Sequence, residues 1–142
     1  MKADFQSLLA ALPQTASANY PLGTPFVSGM AHGSMRAELF VPACSGLGHD
    51  IQQPHTQDEL YVVQGGRSIF CLCGERLQVQ IGDLLFVPAG APHHFEDFSP
   101  DFVTWVIFTA TRVASANQTT QPHDPRTRFT QQTTSSTPES PP

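Results

Sequence analysis

Residues 60–88 read LYVVQGGRSIFCLCGERLQVQIGDLLFVP, from Leu60 to Pro88. Four apolar runs lie in this stretch, Leu60–Val63, Ser68–Cys73, Leu77–Ile81 and Leu84–Val87. Each is closed by a turn signal, in order Gly65-Gly66, Gly74-Glu75, Gly82-Asp83 and Pro88. Runs this short suit strands, and their Val, Ile and Phe content suits a pleated surface. The same punctuation continues on both sides. Ala37–Val41 stops at Pro42, His93–Phe98 stops at Ser99-Pro100, and Phe102–Phe108 closes the series. Short strands at this spacing predict an all-β sandwich or barrel.

Upstream the period changes. Phe5, Leu8, Leu9 and Leu12 recur at the spacing of one helix face, and Pro13 follows where a helix stops. Asp4 and Gln6 interrupt the apolar stretch, which is too short for a secretory leader. The chain therefore divides into a helix and lead-in over 1–35, a barrel over 36–112 and a tail over 113–142. The tail is rich in Thr, Ser, Pro and Gln, and Phe129 is its one aromatic. Such a composition cannot bury enough surface to offset its ordering entropy, so the tail is expected to be disordered.

A length of 142 residues suits one domain. Charged residues are 13% of the chain, well under the roughly 25% usual in globular proteins. The net charge of -5 and a single lysine, Lys2, argue against a nucleic-acid surface, which needs clustered Lys and Arg. No apolar run approaches the roughly 18 residues of a membrane span, so a soluble chain is expected. Cys44, Cys71 and Cys73 cannot close into a disulfide set and read as reduced thiols of a cytoplasmic protein, with Cys71-x-Cys73 a weak metal or redox candidate.

The chemistry-bearing residues cluster. His55 and Glu59 precede the run Leu60–Val63, and His93 follows the turn Pro88-Ala89-Gly90. Two imidazoles and one carboxylate are the set that holds a divalent ion on one face and leaves positions open for substrate. A strand pair around Pro54 and the Thr56–Asp58 turn would present His55 and Glu59 side by side. Tyr61 and Val63 share Glu59's parity and should face the cavity, with Tyr61 a proton donor or substrate contact. His94 should point to the opposite side of its strand from His93. Glu96, Asp97 and Asp101 read as a solvated acidic face. Phe40, Phe70, Phe86, Phe95 and Trp105 are expected as core and lining.

These two segments resemble the paired motifs of the cupin superfamily, G-x5-H-x-H-x3,4-E-x6-G and G-x5-P-x-G-x2-H-x3-N. The second is matched by Gly82, Pro88, Gly90 and His93, with Asp97 in the final place. In the first, His55, Glu59 and Gly66 match, Leu47 stands at the opening glycine, and Gln53 replaces the first histidine. The resemblance implies a small jelly-roll barrel like those of single-domain bacterial cupins. It implies one metal ion on His55, Glu59 and His93, with Gln53 as a weak fourth ligand. Gln52 takes that place if the register slips by one, and His49 is a further candidate. Fe(II) is favoured, with Mn, Ni, Cu or Zn as alternatives. The implied activity is that of a mononuclear non-haem dioxygenase acting on a small chelating substrate. Isomerase or lyase chemistry, or non-catalytic metabolite binding, are the competing readings, and a homodimer is expected from the resemblance alone.

Overall fold

Eight strands run through the described residues, and all but the last end where Gly, Pro or Asp interrupts the apolar pattern. They are β1 (Phe26–His32), β2 (Met35–Phe40), β3 (Glu59–Gly65), β4 (Arg67–Leu72), β5 (Glu75–Gln80), β6 (Leu84–Val87), β7 (His93–Glu96) and β8 (Val103–Phe108). The computed structural model describes residues 1–110, and the tail expected over 113–142 lies outside them. The strands form two antiparallel sheets, in the orders β1-β2-β8-β3-β6 and β5-β4-β7. Strands distant in sequence pair, β2 with β8 and β3 with both β8 and β6, so the chain wraps as a jelly roll.

Period-two alternation fixes which side chains meet between the sheets. On β3, Glu59, Tyr61 and Val63 are buried while Leu60 and Val62 face outward. Phe95 on β7 is the hub of the core. Its ring centroid lies 5.0 Å from that of Phe70, 4.9 Å from Phe102 and 5.3 Å from Tyr61. The tight β4–β5 hairpin turns on Cys73 and Gly74, with φ of 50° and 88°. Two left-handed residues in succession are what a type I′ turn requires. The expected N-terminal helix is α1 (Phe5–Ala10), capped by the Asp4 carboxylate on the Ser7 amide. Its apolar face, Phe5, Leu8 and Leu9, covers Leu39, Val41 and Val103 on the outside of the larger sheet.

Three expectations are corrected. Strand β1 lies upstream of residue 36, in the segment read as lead-in, so the sheet begins earlier than the sequence suggests. Ser28 and Gly29 break its alternation, and the β1–β2 register shifts between Ser28 and Met30 as a bulge. Phe86, expected inside, is 58% exposed, because β6 turns Leu85 and Val87 inward instead. Trp105 likewise faces outward, and its ring packs 6.3 Å from Phe5 of the helix.

Gly66 makes a tight backbone approach at the start of β4. With φ +70°, a Cβ there would lie 2.6 Å from the Phe102 amide nitrogen. Gly66→Ala is therefore expected to destabilise the fold by more than about 1 kcal/mol, read from the midpoint of a urea titration.

Candidate metal centre

His55 sits in an irregular loop, not in the strand pair expected around Pro54. Hydrogen bonds to the second motif supply the order that a ladder would have given. The Gly90 amide donates to the His55 carbonyl at 2.7 Å, and the Ala89 amide donates to the Asp58 carboxylate at 2.8 Å. The Thr109 amide, just past β8, donates to the Asp58 carbonyl at 3.0 Å. The two motif turns thus clasp each other. Gly90, at φ +78°, supplies the left-handed turn that aims its amide back at His55.

Glu59 opens β3, and its carboxylate is almost fully enclosed at 1% exposure. His55 Nδ1 lies 2.5 Å from Glu59 Oε1, and His93 Nε2 lies 3.5 Å from Glu59 Oε2. One ligand-type atom from each of the three residues falls within 4.8 Å of the others. His93 Nδ1 donates to the Ala91 carbonyl at 2.8 Å, because a carbonyl can only accept. That bond turns Nε2 toward Glu59, the arrangement by which a neighbouring carbonyl orients a metal-binding imidazole.

Tyr61 completes the cluster. Its hydroxyl lies 2.9 Å from Glu59 Oε2, 2.9 Å from Gln52 Oε1 and 3.0 Å from His93 Nε2. One O–H cannot satisfy three acceptors. The site is short of positive charge, and a divalent cation or a proton on His93 would supply it. The donor set of two imidazoles, a carboxylate and nearby oxygens therefore fits a divalent ion.

Gln53, expected as a fourth ligand, does not join this set. Its side chain is exposed and its amide donates to the Ile51 carbonyl at 3.2 Å. Gln52 takes the inward place. Asp50 accepts from the Gln52 backbone amide at 3.0 Å and side-chain amide at 2.6 Å, which leaves Gln52 Oε1 facing Tyr61. The motif points to residue 53, but the loop bends at Asp50 and the inward place falls to Gln52, the one-residue slip offered as the alternative. The Asp50-x-Gln52 turn is the signal that could have found it. Asp50 also accepts from the Phe95 amide at 2.9 Å, tying the loop to β7. His49 is exposed, with Nδ1 bonded to the Leu47 carbonyl, and stays outside the cluster. His94 faces away from His93 and is partly exposed, as alternation requires.

A cavity of about 440 Å³ reaches the cluster through His55, Gln52 and Tyr61. Its far wall is built by Tyr20, Phe26, Arg36 and Phe40. Arg36 rests 4.1 Å above the Phe108 ring, and its Nε lies 2.8 Å from Glu38 Oε1 in an ion pair without hydrogen-bond alignment. A wider cavity of about 550 Å³ beside β4 and β5 contains none of the three converging residues. The chemistry therefore belongs to the smaller one.

The profile of the family described as the Cupin domain matches residues 46–107, the stretch that holds the clasp, His55, Glu59 and His93. Residues 46–107 are a cupin domain. Solved structures agree on the fold: a cupin-2 domain protein of Shewanella frigidimarina is 15% identical, with a TM-score of 0.54 over 75% of this chain and 92% of its own. A Neisseria meningitidis protein is 12% identical, with a TM-score of 0.56 over 78% of this chain and all of its own. Among curated sequences, an uncharacterised Streptomyces coelicolor protein is 42% identical over 60 residues, 42% of this chain and 57% of its own length. Acireductone dioxygenase 1 of Pectobacterium atrosepticum is 42% identical over 64 residues, 41% of this chain and 36% of its own. The chain thus spans about half the length of the first relative and about a third of the second.

Without a metal, protons balance the cupin site. Burial pulls His93 down, but the Glu59 bond, the Ala91 carbonyl and the charges of Glu59 and Asp50 outweigh it and leave His93 above its ordinary 6.5. Burial pushes Glu59 up, yet its bonds to His93 and Tyr61 and the nearby imidazoles hold it below its ordinary 4.5. Burial, then the Glu59 charge, push the Tyr61 phenol well above 10.0, so it stays protonated. The raised His93 stabilises the fold fully below pH 6.5 and loses that contribution as pH rises through its folded value. The lowered Glu59 contributes fully above pH 4.5 and loses it as pH falls through its own folded value. Asp50, raised by burial above 3.8, works against Glu59 on the acid side, so the alkaline limb is the diagnostic one. Thermal melts of chelator-treated protein should show stability falling above pH 6.5. His93→Asn should flatten that limb.

Proposed function

We propose that this cupin is a mononuclear non-haem metal enzyme of the dioxygenase type, acting on a small organic molecule that chelates the metal. The observation that carries the reading is the excess of acceptors, Gln52, Glu59 and His93, around the single hydroxyl proton of Tyr61. His55, Glu59 and His93 would hold the ion, Fe(II) being favoured by a set of two histidines and one carboxylate. When bound, such an ion supplies a Lewis-acidic, redox-capable centre with open positions for substrate. The remaining chemistry falls to the chain's own groups. Tyr61 keeps a proton available at the cavity edge, and Gln52 orients the phenol. Phe40, Phe108 and Val106 line the approach and limit water. The stretch shared with an acireductone dioxygenase supports the oxidative class.

The test combines metal content with turnover. Protein purified without chelator should carry close to one divalent ion per chain, and oxygen uptake should follow addition of a diketone, catechol or thiol from a panel. Metal-loaded protein that turns over an enolisable substrate without oxygen uptake would transfer the reading to isomerase or lyase chemistry. Protein indifferent to metal would leave a metabolite-binding barrel. Glu59→Gln removes the anionic ligand and should lower metal affinity by a factor of ten or more, whereas Gln53→Ala should leave it nearly unchanged.

The expected homodimer is proposed on the outer face of β3 and β6. Two cross-strand rows there are apolar, Ile107–Leu60–Phe86 and Trp105–Val62–Leu84. Leu84 is 64% exposed and Phe86 58%. Apolar neighbours left bare in this way mark an association surface. Phe86→Glu should convert a dimer to a monomer in sedimentation or light scattering. A wild-type chain that runs as a monomer at micromolar concentration would end the proposal.

A further inference from the structure

The strand that carries His93 inward presents a second set of ligand-type side chains on its other face. Cys71 on β4 pairs in register with His94 on β7 and, on its other side, with Arg76 on β5. Glu96 lies two residues beyond His94 and so shares its face. His94 Nε2 stands 2.9 Å from Glu96 Oε1, and Arg76 Nη2 stands 2.8 Å from Glu96 Oε2. One ligand atom each from Cys71, His94 and Glu96 lies within 4.8 Å of the other two. Of the acidic face read from Glu96, Asp97 and Asp101, only Glu96 joins this cluster, while Asp97 and Asp101 are exposed.

Cys71 belongs to the outer face by alternation, since Phe70 and Leu72 turn toward the core. Even so, it is only 5% exposed. A thiol buried as a filler sits under apolar groups. This one is flanked by imidazole, carboxylate and guanidinium.

We propose that Cys71, His94 and Glu96 form a second metal site, independent of the cupin site and selective for a borderline divalent ion of the zinc class. Thiolate, imidazole and carboxylate are the ligand types such ions take, and three protein ligands leave a fourth position to water. Binding displaces the thiol proton to solvent, and His94 ligates as neutral imidazole through the ring nitrogen that carries no proton. Arg76 keeps Glu96 Oε2 and orients the carboxylate, leaving Oε1 for the ion. The alternative, a hydrogen-bonded ion-pair network with no metal, predicts no metal–thiolate bond.

Co(II) makes the distinction, because a cobalt–thiolate bond gives a near-ultraviolet charge-transfer band and the cupin site has no sulfur. Full-length wild-type protein, reduced and titrated with Co(II), should develop that band and saturate it at one thiolate-bound ion per chain. Zn(II) should bleach it. Cys71→Ser, a near-isosteric change, should abolish the band, and so should His94→Ala at a partly exposed position. Cys73→Ser and Cys44→Ser should keep it. No band in the wild type, or a band that follows Cys73 or Cys44, overturns the proposal. Loss of inner-site metal in His55→Ala should leave the band in place, so failure of one site is distinguishable from failure of the other.

Discussion

A carboxylate with 1% exposure is the constraint around which this barrel is arranged. Removing a charge from water costs several kcal/mol unless partners meet it. Glu59 cannot move away from that cost, because β3 is held on both sides, with Glu59 opposite Val87 on β6 and Phe108 on β8. The partners must come to it. His55 arrives on a loop, His93 on a strand of the other sheet, and Tyr61 from two residues along the same strand. The two sheets are therefore tied by a polar cluster at one end and by the Phe95 aromatic packing further in.

That polar cluster depends on backbone geometry that no ladder supplies. The loop before β3 is ordered by the Pro88–Gly90 turn, through the Gly90 and Ala89 amides. The conformation of one motif is thus a boundary condition for the other. It explains why a proline and a glycine far from His55 in sequence bear on where that imidazole points.

Much of this was legible from residue order. Seven of the strands follow apolar runs, six of them closed by Gly, Pro or Asp, since turn chemistry is local and reads directly from sequence. His55, Glu59 and His93 were legible as a set because two imidazoles and a carboxylate stand at the matching places of the two motifs. Strand β1 was not, because its Ser28-Gly29 bulge erases the alternation that marks a strand. Gln52 was legible only as the alternative to Gln53, and the choice between the two was hidden for a related reason. Parity arguments hold only where a ladder enforces a two-residue period, and the Asp50 turn abolishes that period just before the site. Phe86 misled because an edge strand can leave one face apolar on both ends of its alternation, and only the neighbouring β3 shows which face is inner.

The cavity wall has two origins. His55, Tyr61 and the clasp belong to the stretch that relatives share, whereas Asn19, Tyr20, Phe26, Arg36, Glu38 and Phe40 come from residues before position 46. The ligand-type cluster and the far wall of its cavity are thus encoded in different parts of the chain. Two proteins could carry identical metal ligands and accept unrelated molecules, simply by exchanging the preface that forms the opposite wall. On the proposed reading, the motif sets the chemistry at the cluster and the segment ahead of it sets which molecule gets near enough.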